Sequence, residues 1–241
     1  RLTGRKLWIT NANEAGLFII FATVNPEAGY RGITAFLVER DAPGFTVGKK
    51  EDKLGIRASS TCELLLEDCR VSRENVLGEV GRGYKVAIET LNEGRIGIGA
   101  QMIGLAQGAL DHTIRYVKER EQFGRPIGSF QAVKHMCADM LVEVTLAREL
   151  LAGAVRAVAA GGPPGEAAAA ASMAKSQVGA MAVDVVGTAL QLHGGIGYTW
   201  ESGVHAYLKR AALDRSLFGS PRAHRRRLGA RYAVAGTGPT V

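Results

Sequence analysis

The residues of this chain best suited to chemistry stand in five short stretches. In "LWITNAN", residues 7–13, Trp8 and Thr10 lie two apart; on a regular strand they share one side, offering a flat apolar surface and a hydroxyl to a flat ligand. "LNEGRIGIG", 91–99, sets Glu93 and Arg95 at the start of a long helix, where free N–H groups and the positive dipole end would meet an anion. "KEREQFGRPIGSFQ", 118–131, offers Arg120 and Gln131 on either side of a Phe-Gly turn, suited to phosphate or adenine. "HGGIG", 193–197, shares part of a dinucleotide-binding glycine pattern, but no strand precedes it. What survives there is close approach of backbone to a ligand or a neighbouring chain. "LDRSLFGSPRAHRRRL", 213–228, joins Asp214, a Phe218-Gly219 break and the run Arg225 to Arg227. Each stretch also has a plain structural reading: a packed strand-end aromatic, a first-turn carboxylate beside a solvated arginine, a capped helical hairpin, a helix-ending turn, and a solvated basic face.

Other chemistries find no footing. The five histidines show no ligand spacing, the three cysteines (Cys62, Cys69, Cys137) fit neither a disulfide framework nor a zinc site, and no Ser-His-Asp or Cys-His set can be argued. No metal is expected. The formal charge of +7 suits a phosphate-bearing ligand as well as nucleic acid. No apolar run approaches the roughly 18–20 residues needed to span a bilayer, and the first residues carry no signal-peptide block, so a cytoplasmic or matrix-like setting is expected. Because the chain opens on Arg within a few residues of a strand pattern, an N-terminal portion is expected to be absent.

The elements that must position these stretches follow from periodicity. Residues 7–71 repeat with a period near two, giving strands at "KLWIT", "LFIIFATV", "ITAFLVER", "FTVGKK" and "CELLLEDCRV", with turn chemistry at "NPEAGYRG" and "DAPG". Residues 72–84 read as a connector. From about 95 the period becomes helical: a first helix to 120, a second over 131–159, a third over 166–192, and a fourth from 203 to the "FGSP" break. The fold class is α+β, mostly α: part of a β-barrel-like domain over 1–76, then an antiparallel four-helix bundle over 77–241.

Taken in order, "WITNANEAGLF", "GITAFLVERDAPGF", "KLGIRASSTCEL", "LNEGRIGIGAQMIGLAQGALDHT", "YVKEREQFGRPIGSFQAVKHM" and "QLHGGIGYT" resemble the acyl-CoA dehydrogenase family, nearest its short/branched-chain members. The resemblance runs from about residue 2 to about 212, starting inside the family's middle β domain; the N-terminal helical domain has no counterpart. It implies FAD, an acyl-CoA oxidised at its α,β bond to the 2-enoyl-CoA, electrons passed to an electron-transfer flavoprotein, and a homo-oligomer, dimer or tetramer. Carried over by position, it places Trp8, Ile9 and Thr10 on the isoalloxazine ring. Arg120 and Gln131, with Gln191, Leu192, His193, Gly194 and Gly195, take the FAD shared across chains. Tyr84, Asn92, Glu93, Gly94 and Arg95 take acyl-CoA.

One family feature is missing. The catalytic glutamate of most members would stand at Phe218, and the alternative position used by isovaleryl-type members is Gly94. Glu93 and Asp214 are the nearby carboxylates that a shifted backbone would have to recruit. Three readings follow: a dehydrogenase with a relocated base, a base-lacking subunit of a heteromeric dehydrogenase, and, at a distance, a basic flavin-fold protein that binds nucleic acid through 222–231.

Overall fold

The computed structural model describes residues 1–235. The chain divides into two compact units, Arg1–Thr90 and Leu91–Val241.

The first unit contains six strands: β1 (Leu2–Thr10), β2 (Leu17–Thr23), β3 (Ile33–Glu39), β4 (Phe45–Lys50), β5 (Thr61–Cys69) and β6 (Val76–Leu77). They form two three-stranded antiparallel sheets, ordered β1-β5-β4 and β2-β3-β6. Phe18, Ile20 and Val38 from one sheet meet Phe45, Leu64 and Leu66 from the other in one core, because each strand sends alternate side chains to the same face. The pairing is irregular between Leu2 and Gly4, between Val47 and Lys50, and at a third place that bears on the candidate residues. The β1–β5 register shifts between Lys6 and Ile9, and Trp8 adopts a left-handed φ of 57°. The expectation that Trp8 and Thr10 share a side by simple alternation is therefore replaced by a bulge, which kinks the strand and re-aims its side chains.

The second unit is helical. Helix α1 (Gly83–Glu119) begins within the first unit; α2 (Gln131–Ala159), α3 (Pro164–His193), α4 (Val204–Ser216) and α5 (Pro221–Ala235) follow. Met102, Leu110, Val144, Leu151, Val178 and Val186 lie in its core, on the faces that steps of three and four select. Between α1 and α2 a two-residue hairpin joins β7 (Glu121–Gln122) to β8 (Arg125–Pro126), with Phe123 and Gly124 both at positive φ, the geometry of a type I′ turn.

Two expectations need correction. The first helix starts at Gly83, so Glu93 and Arg95 sit in its interior, where backbone N–H groups are already bonded within the helix. An anion at a helix N-terminus is not available there. And the fourth helix is followed by a fifth: beyond the Phe218-Gly219 break, Pro221 starts α5, whose missing N–H costs nothing in a first turn.

Lys175 of α3 is wholly buried, with its ammonium donating to the carbonyls of Asp214 (3.1 Å) and Arg215 (3.2 Å) near the end of α4. These carbonyls have no partner inside their own helix, and the lysine supplies one.

Candidate functional site

The break between α4 and α5 is built from Leu217, Phe218 and Gly219. Phe218 has φ 56° and Gly219 φ 104°, so the chain passes two residues in the left-handed region, one of them carrying a side chain. Two donors converge on the Phe218 carbonyl: Arg95 Nε at 3.3 Å and His224 Nε2 at 3.1 Å. With its carbonyl held from both sides, the turn is over-determined, which is how a strained φ persists.

Arg95, six per cent exposed, also donates to Asn92 Oδ1, and among the described residues it forms no ion pair. Burial first, and then the neighbouring Arg227, lower its pKa.

The Phe218 ring lies against Gly94. A Cβ added to Gly94 would stand 2.5 Å from the ring's Cε1 and 3.0 Å from its Cδ1. The two positions where the resemblance looks for a carboxylate are therefore one place in space, filled by a phenyl ring from one side and left without a side chain on the other. Of the two substitute carboxylates, Glu93 is solvent-exposed. Asp214 is fully buried and engaged by Arg210, whose Nε lies 2.9 Å from Oδ1. Burial pushes the Asp214 carboxyl above its usual range, opposed by Arg210 and Lys175.

His224 makes a pH-dependent contribution. Burial, then Arg95, hold its pKa below 6.5, and Nδ1 has no partner. His193 is shifted the same way, chiefly by burial. As pH falls through the ordinary histidine range the unfolded chain takes up these protons first, so stability is present above about pH 6.5 and is lost down through the folded values. Denaturant titrations between about pH 8 and pH 5 should show stability falling toward acid, and His224→Gln should flatten that slope. An unchanged slope in the variant would remove His224 from the account.

Elsewhere in the helical unit, Arg120 and the turn Gln191 to Gly195 line one cleft of about 600 Å³. Tyr116 organises its floor: its ring stacks on His193 at 4.3 Å and its hydroxyl donates to the His193 carbonyl at 3.3 Å. His193 Nδ1 bonds the Ala189 carbonyl at 2.8 Å, leaving buried Nε2 without a partner. A Cβ on Gly194 or Gly195 would meet nothing within 4 Å, so their backbone is open to a ligand. Gln131 does not line this cleft; it is exposed at the start of α2, while Gln122 and Ile127 occupy the wall. Sequence reading missed Gln122 because the hairpin carrying it looked like a plain break between helices.

In the β unit, Ile9 and Thr10 line a groove of about 370 Å³ with Lys6 and β2. Trp8 stands 72 per cent exposed at the bulge. Tyr84, at the start of α1, pairs with Tyr30 at 5.3 Å.

Two family descriptions match: "Acyl-CoA dehydrogenase, middle domain" over residues 1–69 and "Acyl-CoA dehydrogenase, C-terminal domain" over residues 81–233. A probable short/branched chain specific acyl-CoA dehydrogenase of Dictyostelium discoideum is 54% identical over 200 residues, covering 83% of this chain and 48% of the relative. Butyryl-CoA dehydrogenase of Megasphaera elsdenii superposes with a TM-score of 0.90 at 38% identity, covering 96% of this chain and 60% of that one. The FAD complex of PigA gives 0.88 at 28% identity, covering 97% and 60%. The chain thus spans about half the length of the curated relatives it matches. No helix among the described residues is long and apolar enough to cross a membrane. Matches to both domains in order, across nearly the whole chain, place this protein in the acyl-CoA dehydrogenase family.

Proposed function

We propose that this chain is the flavin- and substrate-binding portion of an acyl-CoA dehydrogenase acting on short or branched acyl groups, with electrons passed to an electron-transfer flavoprotein. The observation that carries the reading is the cleft that gathers Arg120 and Gln191 to Gly195 from two distant stretches of sequence. Its residues fit FAD: a guanidinium for a pyrophosphate, backbone bared by two glycines, and the unpartnered His193 Nε2. Trp8, Ile9 and Thr10 would face the flavin ring, which when bound accepts the β hydrogen as hydride. Asn92 and Arg95 would lie along the acyl-CoA, the guanidinium favouring negative charge as the α proton leaves. The chain is assigned to a homo-oligomer whose copies share these contacts.

A second reading is favoured by one observation. The Phe218 ring fills the space beside Gly94, so neither position offers a proton acceptor. The base would then come from a related partner subunit of a heteromer, with this chain binding acyl-CoA and flavin. For the nucleic-acid reading, the exposed Arg225 to Arg227 give only a basic surface.

The test uses the full-length protein loaded with FAD, to which 2-methylbutyryl-CoA or isobutyryl-CoA is added without oxygen. Loss of flavin colour is expected for the first reading. A shifted spectrum that bleaches only with a co-expressed, carboxylate-bearing paralogue selects the second. Failure to retain FAD, or no spectral response to acyl-CoA under either condition, sinks both.

A further inference from the structure

We propose that the helical unit carries a separate small-molecule site, for a free α-amino acid with a short aliphatic side chain, in a groove where α2, α3 and α5 meet. The groove has a volume of about 350 Å³, within the range of small-molecule sites. It shares no residue with the cleft of Arg120 and Gln191 to Gly195 or with the turn at Phe218, so the inference stands apart from the acyl-CoA reading.

The groove exists because α2 and α3 meet here through side chains too small to fill the space between them. Gly153 and Ala154 of α2 and Ala169 and Ala170 of α3 line it, and Ala154 is buried in the core beneath. Leu150 and the 40 per cent exposed thioether of Met173 stand beside them. A bed of methyl groups flanked by an adaptable thioether takes an aliphatic chain out of water without demanding one exact shape.

Charge narrows the ligand further. Each of the three helices brings one ionised group to this groove: Glu149 from α2, Glu166 from α3 and Arg231 from α5. None of the three is in an ion pair among the described residues. Arg231 is anchored by other means. Its Nη1 donates to the Gly165 carbonyl at 2.6 Å, and a Cβ at Gly165 would stand 2.9 Å from that nitrogen, so glycine makes room for the guanidinium on the first turn of α3. The rest of its fork is left for a carboxylate, and the two glutamates are left for an ammonium. Tyr232, 54 per cent exposed, adds an aromatic face that also attracts an ammonium. Opposite charges around an apolar bed match a zwitterion with an aliphatic side chain; a fatty acid has no ammonium, and a residue inside a peptide has neither charge.

Calorimetry on the full-length protein tests the site with L-leucine, L-isoleucine and L-valine, and with leucinamide, N-acetyl-leucine and 4-methylvalerate, each of which lacks one of the two charges. At least one of the amino acids should bind at one site per chain, and the analogues about ten- to a hundredfold more weakly. Arg231→Gln and Glu166→Gln, both surface changes, should weaken the amino acid to the same extent, and Ala169→Leu, which fills the bed, should abolish binding. Circular dichroism melts identify any variant that does not fold, and the two surface variants decide the matter without Ala169→Leu. No heat from any of the three amino acids overturns the site, and so does binding that Arg231→Gln and Glu166→Gln both leave unchanged. Leucinamide and N-acetyl-leucine binding as tightly as leucine overturns the zwitterion and leaves a plain apolar groove.

Discussion

Phe218→Glu is expected to speed flavin bleaching by branched acyl-CoA by about 10²- to 10⁴-fold over the parent, the range a positioned general base supplies. The new carboxylate would enter at a turn whose carbonyl is already fixed by Arg95 and His224, and the bare Gly94 leaves it room. Gly94→Glu alone should give no such gain, since its Cβ would run into the Phe218 ring. Combining Gly94→Glu with Phe218→Ala should recover it. The check is single-turnover reduction of the FAD-loaded protein. A parent that already bleaches as fast as Phe218→Glu would mean that a base resides elsewhere, and the asymmetry between the two single variants would then have no chemical meaning.

Asp214→Ala should lower the free energy of unfolding by about 3–5 kcal/mol, because it breaks a buried pair and leaves uncompensated charge. Arg210 would lose its carboxylate, and Lys175, fully buried, would lose its nearby negative charge. Both partners show the strain of burial: desolvation raises the Asp214 pKa and lowers that of Lys175, so each is tolerated only with the other present. Denaturant titration of the parent and of Asp214→Asn, which keeps the shape, separates charge from packing. If Asp214 were instead the proton acceptor, Asn would leave stability nearly untouched and abolish bleaching.

Much of this fold is legible in the sequence, for a physical reason. Strand β2 buries Phe18 and Ile20 and strand β5 buries Cys62, Leu64 and Leu66, each at every second position, and the core face of α2 repeats at Met140, Val144, Ala147, Leu151 and Ala154, so local periodicity reports them. Its limits are equally physical. The first turns of α1, "GYKVAIETLNEGR", carry glycine and polar residues that hide the helix, and its true start moves Arg95 into the interior. The bulge at Trp8 depends on pairing with β5, some fifty residues away. Arg120 and Gln191 share a cleft because two helix ends meet, and the contact of Phe218 with Gly94 joins residues 124 positions apart. No window on the sequence contains either. The residue types drew attention to these stretches, and family resemblance supplied their proposed roles.

The capping lysine of α4 has a further consequence. Burial depresses the proton affinity of the Lys175 amine, and the same burial sets the amine apart from anything in solution. Complete burial with two carbonyl partners leaves the Lys175 amine out of reach of any acyl donor while the two helices stay packed. The seam between α3 and α4 therefore doubles as a chemical shield. Acyl groups accumulating on Lys175 would record each occasion on which that seam had opened, a clock for local unfolding written in covalent bonds.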